Sequence, residues 1–146
     1  MALICYDISV KKIFCILAIA AIFAPFCLAD QYVPEFDKMK VLRCDVVETV
    51  FENDKEKAIN GYHRIYRLDD EYKNIYLQKE FINGLAHYDE NKIVYNEQTM
   101  TDFSIVSSHV EIDRQAMKIT ISSHVEYDNP DFGSQEAIGI GECKYL

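Results

Sequence analysis

The sequence predicts an all-β fold: an antiparallel meander of about seven or eight short strands, closed or strongly curled into a small barrel-like domain. Three observations point there. Short runs rich in β-branched and aromatic residues recur between turn-forming clusters, with no amphipathic helical period. Two near-copies, SSHVEID (107–113) and SSHVEYD (122–128), alternate apolar and polar side chains around a short loop. Cys44 and Cys143 stand near opposite ends of residues 30–146.

The amino-terminal segment before residue 30 has its own logic. Lys11 and Lys12 precede IFCILAIAAIFAPFCLA, an uncharged run of 17 residues ending at Ala29. A basic pair, an apolar stretch and small residues before a polar segment are what a secretory signal requires. The run is short for a membrane span and Pro25 interrupts it, so residues 1–29 are expected to be a cleaved signal peptide. Phe14 and Phe26 precede Cys15 and Cys27, where a lipid-modified cysteine needs a small residue. Residues Met1 to Ser9 lie oddly upstream; starting at Val10 gives the more compact signal VKKIFCILAIA. The expected location is periplasmic or extracellular.

The remainder, residues 30–146, is 117 residues long, the size of one domain. Setting aside Asp7, Lys11 and Lys12 leaves 13 basic and 23 acidic side chains, net −10. Nucleic acid and anionic membrane surfaces demand clustered Lys and Arg, so neither is an expected partner. After cleavage the chain is not expected to be an integral membrane protein.

Residues 30–40 read as a polar lead-in and 41–146 as the β domain. VLRCDVVETVF (41–51) is dense in β-branched residues and reads as a strand. ENDKEKAING reads as a solvated loop ending in an Asn60-Gly61 turn. Tyr62–Leu68 and Asn74–Gln78 flank Asp69-Asp70-Glu71 as a hairpin. Asn83-Gly84 marks a break, and LAHY and KIVYN flank Asp89-Glu90-Asn91 as a second hairpin. The third hairpin joins 103–113 to 118–127. Pairing residues whose numbers sum to 231 sets Ile112 against Ile119 and Val110 against Ile121, so both apolar faces coincide; a sum of 233 keeps the same faces. DNPDFGS (128–134) is a loop, and Ala137 to Tyr145 is the last strand. Gly139 and Gly141 share a face there, which implies close backbone approach or strong curvature.

The run from Tyr66 to Leu77, the segment IDRQAM and the terminal GECKYL resemble small exported bacterial proteins of no assigned function. The resemblance implies no activity. Such proteins carry a Thr-Gly pair in the third hairpin, where Ala116-Met117 stands in this chain.

Cysteine use agrees with export. With Cys5, Cys15 and Cys27 in the removed segment, Cys44 and Cys143 are expected to form one disulfide across 99 positions, joining the first strand to the last. Two distant cysteines are too few for a metal site. His109-Val110-Glu111 and His124-Val125-Glu126 place each His and Glu on one side of a strand, which makes His109 and His124 the candidate metal ligands. Two imidazoles fall short of the three or four protein ligands zinc usually takes, so no metal and no cofactor is expected. The acidic turns lack the spacing of a calcium loop. Tyr62, Tyr66, Tyr72, Tyr76, Tyr88 and Tyr95 suit either a carbohydrate or amphiphile surface or a half-buried sheet face. No motif or spacing sets a nucleophile beside a base, and the chain is expected not to be an enzyme. Two functions are carried forward: a non-catalytic exported β-domain that binds a protein or envelope partner, and a small barrel that carries an amphiphile.

Overall fold

The first strand, β1 (Lys40–Glu52), turns back at Asn53-Asp54 into β2 (Lys55–Asp69). The computed structural model describes residues 33–146; the expected signal peptide and alternative start lie outside the described residues. Asn53 and Asp54 both take positive φ, 52° and 59°, as a two-residue hairpin turn requires. Asn60-Gly61 is therefore not the turn, and 55–61 is not a loop. Both residues lie inside β2, opposite Glu48 and Val47. Closing at Asn53-Asp54 gives a ladder running from Glu52↔Lys55 to Lys40↔Leu68, and it brings Tyr62, Tyr66 and Leu68 onto the same face as Leu42 and Val46. A bulge at Val50/Phe51 absorbs one extra residue, Lys57.

Seven further strands follow among the described residues: β3 (Asn74–Leu77), β4 (Glu80–Phe81), β5 (Leu85–Tyr88), β6 (Lys92–Met100), β7 (Ser104–Asp113), β8 (Lys118–Tyr127) and β9 (Ser134–Tyr145). All nine form one sheet in the order β4-β3-β2-β1-β9-β8-β7-β6-β5, antiparallel throughout. The count exceeds the expected seven or eight because β4, only two residues long, is a strand of its own; the unexpected strand at 55–61 lengthens β2 and adds none.

The order fixes the shape. The terminal strands β1 and β9 pair, so the break in the sheet falls between β4 and β5. Eight antiparallel steps separate those two edges, so they run in the same sense. Only residues 82–84 join them, and four Cα steps reach at most about 15 Å. The two edges are thus held together by the chain itself, and the sheet is a strongly curled half-barrel. Gly141 sits where the curl is tight: a Cβ there would lie 2.3 Å from the Asp45 carbonyl oxygen.

Alternation supplies the core. Leu42, Cys44, Tyr66, Ile75, Ile93, Tyr95, Val110, Ile112, Ile119 and Ile121 are fully buried on the concave face. β7 and β8 pair with the sum of 231: Ile112 opposes Ile119 and Val110 opposes Ile121. His109, Thr120 and His124 are exposed, while Val125 and Glu111 are half-buried. Met117 closes this hairpin at φ 53°, the left-handed conformation that glycine adopts most cheaply. Cys44 and Cys143 are bonded, with Cα atoms 4.0 Å apart. The Cys143 N–H donates to the Met117 carbonyl on the β8 side, so the two cysteines occupy a non-hydrogen-bonded pair, where side chains lie closest.

Candidate functional site

The two ends of the half-barrel differ. At one end Arg114, in the β7–β8 turn, crosses the opening with its side chain only 7% exposed. Its guanidinium donates to the Asp89 carbonyl at 2.8 Å and pairs with Asp70 at 3.1 Å. It also donates to the Tyr145 hydroxyl at 3.2 Å and lies over the Tyr88 ring. Lys40 and the Tyr88 hydroxyl converge on the same carboxylate. Burial pushes the Asp70 carboxyl up, but hydrogen bonds from Lys40, Arg114 and Tyr88 outweigh it and hold the pKa at about 2. This network ties three turns and the last strand together and plugs that end.

The other end is open because the strands that would wall it stop short. β3 pairs only with Tyr66–Asp69 of β2, and β5 only with Ile93–Tyr95 of β6. Beyond those points, residues 55–64 of β2 and 97–100 of β6 each have a strand neighbour on one side only among the described residues. They border a slot. The Ile65 carbonyl accepts from the Gln78 N–H on the β3 side. Strand alternation then turns the N–H and C=O of His63, Gly61 and Ile59 toward the slot as well.

The slot has a polar floor. Arg64, on β2, has a side chain 17% exposed and pairs with Glu97 of β6 at 2.8 Å. It also donates to the Tyr95 hydroxyl at 3.1 Å, and that hydroxyl bonds Tyr66 at 2.9 Å. Burial works against the Arg64 charge, but the Tyr66, Glu97 and Tyr95 oxygens outweigh it and raise its pKa. The Tyr62 hydroxyl donates to Glu48 at 3.2 Å; burial and then the Glu48 charge raise its pKa to about 12. Ser108 and Ser123, opposite each other, share a 2.9 Å hydrogen bond.

Two shallow clefts lie elsewhere. One, of about 640 Å³, sits on the outer wall among Asn96, Ser107, His109, Ser122, His124 and Glu136. The other, of about 510 Å³, lies at the open rim between Phe103, Tyr127 and Phe132.

The sequence-derived candidates separate. His109 opposes Ser122 and His124 opposes Ser107, so the imidazoles are diagonal. His109 is held by Asn96 at 2.8 Å and Glu111 at 3.3 Å. Among the described residues no group of three or more His, Cys, Asp or Glu is arranged to hold a metal. In the acidic turns, Asp89 accepts from the Asn91 and Lys92 amides, and Asn129 from the Asp131 amide. Of the tyrosines, Tyr66, Tyr76 and Tyr95 are buried, Tyr62 and Tyr88 half-buried and Tyr72 exposed. The Arg64–Glu97 pair was not anticipated. Its signal was parity: Arg64 shares a face with Tyr66 and Leu68, and Glu97 with Ile93 and Tyr95, so opposite charges stand on two inward faces.

The fold and slot define a class, a curled antiparallel half-barrel with one plugged and one open end. No protein-family model, curated protein or solved structure matches the chain. Among the described residues no helix is long and apolar enough to cross a membrane.

Proposed function

We propose that this protein is an exported, non-catalytic β-domain that binds a protein partner by accepting an extended segment along the open edge of β2. The supporting observation is the row of outward backbone groups at Ile59, Gly61 and His63, beside a slot that no strand of the described chain fills. Such groups are the usual template for strand addition. Export is supported by the buried Cys44–Cys143 disulfide, a bond typical of oxidising compartments.

The carrier reading needs an interior cavity. The concave face is instead filled by side chains, and a Cβ at Gly139 would meet Val46 at 3.0 Å and Ile121 at 3.3 Å. The docking reading is therefore preferred. Its test is site-specific photo-crosslinking in the cells that make the protein, with the crosslinker at His63, at Gln98, or at Thr120 on the outer wall. Products are expected at His63 and Gln98 and not at Thr120. No product at either slot position rejects the reading.

A further inference from the structure

Among the described residues, nothing within one copy of the chain calls for glycine at position 61. It lies inside β2, its φ is not positive, and a Cβ added to it would meet nothing within 4 Å. Glycine weakens a strand, and it recurs where another backbone or a ligand approaches closely. Two residues away on the same outer face stands Ile59, 62% exposed. A knob and a hole thus sit two positions apart on one unpaired edge.

We propose that a second copy of this chain occupies that edge, the two β2 strands pairing antiparallel about a two-fold axis at Asn60. The proposal rests on the reading of the β2 edge as a docking surface and names its occupant. In this register residue 58 faces 62 of the second copy, 59 faces 61, and 60 faces 60. Each Ile59 then covers Gly61 of the second copy, beside that copy's exposed Val47, which pairs with Gly61 in β1. A large side chain over a cross-strand glycine is a known means of stabilising such a position. Ile59 and Gly61 both turn their N–H and C=O outward, so 59 and 61 form hydrogen-bonded pairs, as the antiparallel pattern demands. Shifting the register by two would set Gly61 against Gly61 and leave both holes empty.

Charge favours the same stretch. The chain carries a net charge of −9, yet Ala58 to Tyr62 holds no charged residue. Lys55, Lys57 and the bulge guard the tip of the hairpin against strand pairing, and those devices end at Lys57. A two-fold pairing uses one surface twice, which is the commonest way proteins self-associate.

Three variants test it, read by analytical ultracentrifugation, circular dichroism and non-reducing electrophoresis. Wild-type protein is expected to sediment as a dimer. Gly61→Val fills the hole and is expected to be a folded monomer, with a melting temperature no lower than that of the dissociated wild type. Asn60→Cys places two thiols in a non-hydrogen-bonded pair across the axis, the arrangement already seen at Cys44 and Cys143. It is expected to oxidise to a covalent dimer, whereas Ser107→Cys on the outer wall is not. Monomeric wild type at every concentration, a dimeric Gly61→Val variant, or equal crosslinking through positions 60 and 107 overturns the proposal. The in-cell crosslink at His63 separates its failure from that of the docking reading. A product of twice the chain mass supports self-pairing, a product of another mass removes the second copy and keeps docking, no product at His63 removes the second copy, and no product at either His63 or Gln98 removes both.

Discussion

The hydroxyls of Tyr66 and Tyr95 lie 2.9 Å apart, although β6 is the fifth strand along the sheet from β2. In a flat sheet five strand spacings would separate them by about 24 Å. The contact exists because the sheet curls until its concave face meets itself. Arg64 strengthens the junction by donating to Tyr95 while it pairs with Glu97.

Tyr95→Phe removes the oxygen that serves both Tyr66 and Arg64 and should cost roughly 2 kcal/mol. Tyr66→Phe leaves Tyr95 bonded to Arg64 and should cost about 1 kcal/mol. Urea unfolding of both variants measures the difference. Equal, negligible losses would mean that the hydroxyl junction contributes nothing to the curl.

Ile121→Ala should cost about 2–5 kcal/mol, because Ile121 is fully buried and opposes Val110. Thr120→Ala, one position along and exposed, should stay within about 0.5 kcal/mol. Similar losses at the two positions would contradict the one-sided sheet.

Of the fold, the third hairpin was the most legible, since strict alternation leaves few registers that bury both faces. The cysteines were legible for a different reason: only two remain beyond residue 29. Asn60-Gly61 misled, because the dipeptide is a strong turn signal and the competing Asn53-Asp54 gains its advantage only from the long ladder it closes. The slot was not legible at all. It depends on where β3 and β5 stop, and that is decided by pairing partners far along the chain. Parity puts Arg64 and Glu97 on inward faces, but they meet only because the sheet curls, so no local pattern announces their pairing.

Reducing the Cys44–Cys143 bond should lower stability by up to about 4–5 kcal/mol in the chain-entropy model, since the closed span is 99 positions long. The bond is buried, so mild reductant should react only as the protein unfolds. Thermal melts with and without a strong reductant check this, and unchanged melting after confirmed reduction would contradict it.

Acid should loosen the plugged end. The Asp70 pKa is held at about 2, below its ordinary 3.8. A depressed carboxylate contributes stability that is complete above the unfolded pKa and is lost as pH falls through the folded one. The contribution should therefore fade between about pH 4 and pH 2, and Asp70→Asn should flatten that part of the stability profile. At neutral pH the same variant leaves the buried Arg114 without its carboxylate and should cost about 3 kcal/mol. An unchanged acid profile in Asp70→Asn would place the acid sensitivity elsewhere.

The open edge of β2 is tested most directly by residue-resolved amide hydrogen exchange, in protein diluted below its self-association range. Ala58, Asn60 and Tyr62 turn their N–H groups toward β1, whereas Ile59, Gly61 and His63 turn theirs toward the slot. Alternation is expected along this one strand: slow exchange at 58, 60 and 62, and fast exchange at 59, 61 and 63. Uniformly slow exchange at all six positions would show that the edge is already paired within a single chain, and would contradict the half-barrel with an open docking edge.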